Sequence, residues 1–319
     1  MSLPLLQQGG MLPLINQSAF NTRVTNDKNT KSPWIPKIIH QTWDTYDVPE
    51  TFVPWIKSIV ARHPDWQYMF WTQEDVQCYF KTRHPDFHDL YNRYWATIFK
   101  TDVMRYFLMY DYGGFYLDLD IEALRSLDPW IHYAPCILSH ETYEHVFLVQ
   151  EKRVGMPNIM TTVLATRPFH PYFKLLQDNL AKYHEIYKAD VIRATGPYFM
   201  QEILDFYEKN RTETNFENHV TILNPSYWLP TFDPALKTKI EFRCSNRLRY
   251  LKKYAKALCN IHTANGFKNE PPDFAFLNHH WVHTNLKPAY FKTTNLVDIR
   301  TVIPSIVSVQ KQLDLKCDT

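Results

Sequence analysis

Phe99-Lys100-Thr101-Asp102-Val103-Met104-Arg105-Tyr106-Phe107-Leu108-Met109-Tyr110-Asp111-Tyr112-Gly113-Gly114-Phe115-Tyr116-Leu117-Asp118-Leu119-Asp120 is the most informative run in this chain. Apolar residues at 99, 103, 106, 107 and 110 lie on one helical face, which predicts a helix over 98–111. Gly113-Gly114 ends it and allows a sharp turn. Phe115 to Ile121 then reads as a strand apolar enough to be interior, with Asp118 and Asp120 on one side near its carboxyl end. Two like charges so close are costly unless a proton or cation lies between them. A hard divalent ion meets that need, because Mg²⁺ and Mn²⁺ share their shells between one or two carboxylates and substrate phosphates. Asp-x-Asp taken alone equally describes a solvated strand end. Here the strand is interior, and open α/β sheets bind ligands beyond the carboxyl ends of their strands. Glu122 extends the acidic run, either as a supporting partner or toward solvent.

Working outward, residues 16–33 are rich in Asn, Thr, Ser and Lys, so 1–33 reads as a flexible lead-in. Ile35 to Trp43 is a β-rich run bounded by prolines and acids, Thr51 to His63 has helical spacing, and Gln67 to Trp71 resembles a second strand. Further helices are expected at 169–187 and 198–209. Strands and helices alternate through the first 150 residues, which predicts a parallel-based sheet covered by helices. The expected division is a lead-in (1–33), a catalytic domain (34–292) and a C-terminal tail (293–319) without clear periodicity.

With 319 residues, 45% of them hydrophobic, the chain can bury a substantial core. A formal charge of +2 implies neither nucleic acid nor an anionic membrane as a partner on net charge alone. Nine Trp, 20 Tyr and 20 Phe offer stacking surfaces for sugars and bases, although aromatics more often fill cores. The five Cys include no Cys-x-x-Cys pair, which argues against a thiolate metal site or a dense disulfide framework and leaves room for one distant disulfide. No run approaches the roughly 20 apolar residues of a membrane span. Met1 to Ile15 is apolar but broken by Pro and Gly and lacks the basic opening of a secretory signal. A soluble chain, a peripherally attached one, or one cut from something longer all agree with this.

The run from Phe99 to Asp120 resembles the Asp-x-Asp sugar-binding region of glycosyltransferase family 32, which includes mannosyltransferases acting on inositol phosphoceramide. Ile35-Pro36-Lys37-Ile38-Ile39-His40-Gln41-Thr42-Trp43 is similar to that family's first strand, and Ala194-Thr195-Gly196-Pro197 to its Thr-Gly-Pro segment. Asn224 to Pro230 is similar to its aromatic, Pro-rich stretch, so the resemblance spans about 34–285 in matching order. It implies an α/β GT-A (Rossmann-like) nucleotide-sugar transferase fold, with a mixed, mostly parallel central sheet flanked by helices. It also implies retention of anomeric configuration and Mn²⁺ or Mg²⁺. Asp120 would bind the metal, Asp118 the donor ribose or the ion's shell, and Asp102 and Arg105 the donor sugar's hydroxyls. The bare reading of that last pair is a surface i, i+3 ion pair. Trp43 would stack near the base, unless it merely packs the core, and His40, Gln41 and Gly196 would complete the donor site.

The family's carboxyl-terminal His-x-x-Gly-Ser-Trp is represented by Asn278-His279-His280-Trp281-Val282-His283-Thr284-Asn285, which makes His280 the expected third metal ligand. His279 or His283 could serve instead, and Trp281 could stand in for the missing Trp. An imidazole ligand favours manganese over magnesium. The expected donor is GDP-mannose, with a UDP-sugar as the alternative, and the acceptor a glycolipid such as inositol phosphoceramide or a glycan. Peripheral membrane association and a Golgi or other endomembrane location follow from the resemblance alone. Two other readings compete. A haloacid-dehalogenase-type phosphatase also uses Asp-x-Asp, but Ile121 follows the pair and no acidic pair occurs later. A carbohydrate-binding protein that has lost catalysis is favoured only by the altered His-x-x-Gly-Ser-Trp segment.

Overall fold

In the computed structural model, residues 32–150, 158–211, 215–283 and 295–317 are described, so nearly all of the expected lead-in lies outside the described residues. In chain order the main elements are β1 (Ile38–Thr42), β2 (Asp47–Pro49), α1 (Val53–Arg62), β3 (Gln67–Trp71), α2 (Gln73–Arg83), α3 (Pro85–Arg93), α4 (Thr97–Asp111), β4 (Gly114–Leu117) and β5 (Ile121–Ala123). There follow β6 (Cys136–His140), β7 (Ile159–Thr166), α5 (Pro171–Ile186), α6 (Val191–Ala194), α7 (Pro197–Asn210), β8 (Val220–Leu223), α8 (Lys237–Asn246), α9 (Lys253–Ala264), β9 (Leu277–His279) and β10 (Leu296–Asp298). Two short helices close the described chain, α10 (Ile299–Val302) and α11 (Val309–Gln312).

Six strands form the central sheet in the order β3-β1-β4-β7-β6-β8. Only β7 runs against its neighbours; the other pairs are parallel. This is the mixed, mostly parallel sheet flanked by helices expected of the GT-A class. One face packs against α2, α4, α5 and α7 through Tyr79, Phe107, Tyr172 and Phe199, and the other against Trp130, Trp228 and Phe276. Burial on both faces explains why β4 and β6 are buried along their whole length rather than at alternate residues.

Local chemistry sets the element ends. Helix α2 opens on a capping box in which Thr72 Oγ1 accepts from Asp75 N and Asp75 Oδ2 accepts from Thr72 N. Pro171 and Pro197 start α5 and α7, where a missing N–H costs nothing. Gly113 and Gly114 have φ of 64° and 89°, and a Cβ on Gly114 would lie 2.5 Å from Ile38 O. No other residue fits that approach of β4 to β1.

One expectation is corrected, and two points that the sequence leaves open are filled in. The strand expected over 115–121 ends at Leu117, and Asp118 to Asp120 form a turn before β5, because Ile121 N bonds back to Asp118 O. The two carboxylates therefore share a turn rather than one side of a strand. The distant cystine link for which the sequence leaves room is Cys78–Cys317, and a second, local one joins Cys244 to Cys259, with Cys136 free and buried. The aperiodic segment after 295 is ordered by pairing, since β10 lies antiparallel to β2 and Ile299, Ile303 and Ile306 join Val48, Phe52 and Phe70 in an apolar cluster. No helix among the described residues is long and apolar enough to cross a membrane.

Candidate active site

The acidic turn is held from three directions. Asp118 N donates to Thr162 O of β7 (3.0 Å), and Gln41 Nε2 donates to Asp118 O (3.1 Å) while Gln41 Oε1 accepts from Tyr68 Oη (2.7 Å). Strand β9 then brings the C-terminal histidines to the turn, with Ile121 opposite His279. The Asp120 carboxylate faces His279 Nε2 at 3.1 Å and accepts from Val282 N at 2.9 Å, and His280 N donates to Asp120 O. Burial would raise the Asp120 pKa, but the His279 ring and the Val282 amide outweigh it and hold the carboxyl below its usual value. His279 is correspondingly raised, since the Asp120 carboxylate outweighs its burial. For Asp118 the balance is reversed: burial pushes it upward, with the Asp120 charge adding to it, against the pull of Arg105, His279 and the Tyr116 hydroxyl.

Arg105 is the cation beside this turn. Its side chain is only 5% exposed and lies 3.4 Å from Asp102 Oδ1 and 3.6 Å from Asp118 Oδ1. Nη1 donates to Thr161 O at 2.5 Å, and the guanidinium covers the Tyr116 ring at 4.5 Å. Burial acts to discharge it, but Tyr116, Asp118 and Asp102 together keep it firmly charged. Asp102 also accepts from Thr195 Oγ1 at 3.1 Å, yet burial dominates and lifts its carboxyl to about 7. The pair expected on a helix is thus a buried constellation, not a surface i, i+3 pair.

A cleft of about 980 Å³ opens over these groups, lined among others by Trp43, Asp102, Arg105, Asp118, Asp120 and His279. That volume lies at the upper end of small-ligand sites. Trp43 leans on Phe52 with ring centroids 5.3 Å apart. At the rim stands Trp95, 72% exposed but anchored by Nε1 to Lys188 O and by its contact with Phe99.

Other expected residues are placed elsewhere. His280 is turned away from the acidic pair, stacked on Trp55 at 4.2 Å and bonded to Glu122 Oε2 at 2.9 Å; adjacent strand residues face opposite ways, so His279 has the place expected of His280. His40 is fully buried: Trp71 Nε1 donates to its Nδ1, its Nε2 donates to Gly113 O, and burial lowers its pKa to about 4. It pins the glycine turn behind β4 instead of lining the cleft. Gln41 supports the acidic turn from beneath, as described above. Gly196 precedes α7, packed on Ile192, and it is Thr195 that reaches the site. His283 lines the cleft and bonds Asp233 Oδ2 at 2.7 Å; Thr284 and Asn285 lie outside the described residues. The parts that motif reading missed are Tyr116, Thr161, Thr195 and Asp233, polar partners scattered over four segments with no spacing to mark them.

Among the described residues no three His, Cys, Asp or Glu side chains form a closed metal cage. The donors present are two carboxylates in one turn and an imidazole whose Nδ1 is buried without a hydrogen-bond partner, so no second bond locks that ring in its pairing with Asp120. This oxygen-rich, incomplete set fits an ion that takes one or two protein carboxylates and fills its shell from a diphosphate.

Residues 49–137 match the family described as glycosyltransferase sugar-binding region containing DXD motif. The chain is 33% identical over 204 residues to inositol phosphoceramide mannosyltransferase 3 of Schizosaccharomyces pombe, covering 63% of this chain and 53% of that protein. It is also 33% identical over 205 residues to mannosyl phosphorylinositol ceramide synthase SUR1 of Saccharomyces cerevisiae, covering 63% and 50%. The chain therefore spans about half the length of these curated relatives. Among solved structures, mouse xyloside xylosyltransferase 1 superposes with a TM-score of 0.43 at 12% identity, covering 77% of this chain and 98% of that one.

Proposed function

From the DXD-type glycosyltransferase sugar-binding region that it carries at residues 49–137, we propose that this chain is a retaining, metal-dependent hexosyltransferase using a nucleotide-sugar donor. The leading sugar is mannose and the leading acceptor a glycolipid of the inositol phosphoceramide type, on the strength of the relatives' names, and GDP-mannose is the donor that the family resemblance implies. The observation that carries the reading is the meeting of the acidic turn and the buried Asp102–Arg105 pair in one cleft.

Asp118, Asp120 and His279 would hold the ion, which when bound supplies positive charge against the leaving diphosphate. Asp102 and Arg105 offer an acceptor and donors, respectively, to sugar hydroxyls from a site too buried to rearrange, which is the pre-organisation that lowers a transition state's cost. Trp43 offers its face to the base and Trp95 offers an anchored apolar face to the acceptor side. Retention by front-face attack needs no protein base, because the leaving phosphate can take the acceptor's proton. Two disulfides favour an oxidising compartment, in keeping with a Golgi lumen.

The test is nucleotide release from a panel of GDP- and UDP-sugars with Mn²⁺, Mg²⁺ or EDTA, with and without acceptor. Turnover in EDTA equal to that in Mn²⁺ would overturn metal dependence. Cleavage of no donor under any condition would leave a carbohydrate-binding role.

A further inference from the structure

Residues 237–256 contain eight of the chain's 35 Lys and Arg but only one, Glu241, of its 33 Asp and Glu. The formal charge of +2 therefore conceals a strong local concentration of positive charge. The segment forms a hairpin of α8 and α9 joined by a short turn (Leu248–Tyr250) and cross-linked by Cys244–Cys259. Its inner side packs Ile240, Ala255 and Leu258 against Phe232.

The outer side exposes Lys237, Lys239, Arg247, Arg249, Lys252 and Lys253 to solvent, and Glu241 lies 3.9 Å from Lys237. Among these cations two large apolar side chains also face solvent, Phe242 at 52% and Leu248 at 38% exposure. The Arg247 guanidinium sits 5.8 Å from the centre of the Phe242 ring, and Lys239 is one helical turn before it. We propose that this hairpin is a docking surface for an anionic lipid bilayer. Cations interleaved with an exposed ring and a Leu suit the headgroup boundary, where charge meets lipid phosphates and carboxylates while the apolar groups enter the acyl region. A single-stranded nucleic acid would use the cations and could stack on the ring, but it has no use for Leu248.

The placement has a consequence for the cleft. The hairpin rests on Phe232, whose neighbour Asp233 holds His283 in the cleft wall. Docking would hold that wall close to the bilayer. The inference stands apart from the transferase reading, since vesicle binding can be measured without turnover.

Co-sedimentation with vesicles of phosphatidylcholine alone, or with about one third phosphatidylserine, provides the test. Binding is expected only to the anionic vesicles and is expected to weaken with salt. Lys252→Glu/Lys253→Glu should weaken it by at least about 25-fold, at about fivefold per cation lost. Phe242→Ser should weaken it by about tenfold through lost apolar contact. Melting curves check that the variants fold, and on the unaltered protein anionic vesicles should protect Lys252 and Lys253 from trypsin. Equal binding to neutral vesicles, undiminished binding by the folded double variant, or trypsin cleavage unaffected by vesicles would overturn the proposal. So would tight binding of polyuridylate, unchanged in Phe242→Ser, by a protein that ignores vesicles.

Discussion

Replacing Arg105 with Met should destabilise the protein in a way that depends on pH. The guanidinium lies within 3.4 Å of Asp102 and 3.6 Å of Asp118, so its removal strands one buried and one half-buried carboxyl beside an apolar side chain. Breaking a buried pair in this way costs about 3–5 kcal/mol. At about 2 °C per kcal/mol for a domain of this size, the melting temperature at pH 8 should fall by roughly 6–10 °C. The Asp102 carboxyl, ordinarily near 3.8, is lifted to about 7 in the fold. A carboxyl shifted upward binds its proton more tightly when folded, so its contribution is complete below about 3.8 and fades as pH climbs through about 7. Without Arg105 its pKa rises further, and the fading moves to higher pH. The deficit of the variant relative to the parent should therefore be largest at pH 8 and shrink toward pH 5. Adding Asp102→Asn should recover at least about 1 kcal/mol, as contacting residues are coupled. Thermal melts of the parent, both single variants and the double variant across that range measure all of this. A deficit flat with pH, or a double variant no more stable than Arg105→Met, would refute the coupling.

Asp120→Ala should lower kcat for nucleotide release by at least about 100-fold, the loss seen when a group stabilising developing charge is removed, with little change in circular dichroism. His279→Ala should raise the Mn²⁺ concentration giving half-maximal activity by about 10-fold or more, whereas His280→Ala, which removes a contact with Glu122 and Trp55, should leave it nearly unmoved. Cys78→Ser, which frees Cys317 at a separation of 239 residues, should cost about 2–4 kcal/mol in denaturant titration, and the gap between parent and variant should close under reducing conditions, where both lose every cystine link.

Elements with a strong period were legible in the sequence. The helix expected over 98–111 is α4, those expected at 169–187 and 198–209 are α5 and α7, and the strand at 67–71 is β3. The Asp-x-Asp segment was located but assigned the wrong geometry, because Asp118-Leu119-Asp120 alternates equally well in a strand and in a tight turn. The choice among His279, His280 and His283 is open in the sequence for a related reason. Neighbours on β9 face opposite ways, and only the pairing of Ile121 with His279 fixes which ring meets Asp120. His40 and Gln41 of β1 entered as donor contacts through the family resemblance alone, and burial on both faces of that strand leaves no alternation by which the sequence could separate inside from outside. Thr195 and Asp233 belong to segments distant in sequence, and nothing local announces what they touch.

The front of the cleft is built from pieces that the ribosome delivers far apart in time. Leu296 borders the opening, and its strand is laid on residues Asp47–Pro49, while His279 closes on Asp120 across 159 positions of chain. Such remote pairings are slow to form because the intervening polypeptide must first be gathered in. A nascent chain can thus complete much of its central sheet while still lacking a finished donor pocket. On the proposed function, competence for donor would then wait on the docking of β9 and β10, making nucleotide-sugar affinity a sensitive gauge of whether those two strands have paired.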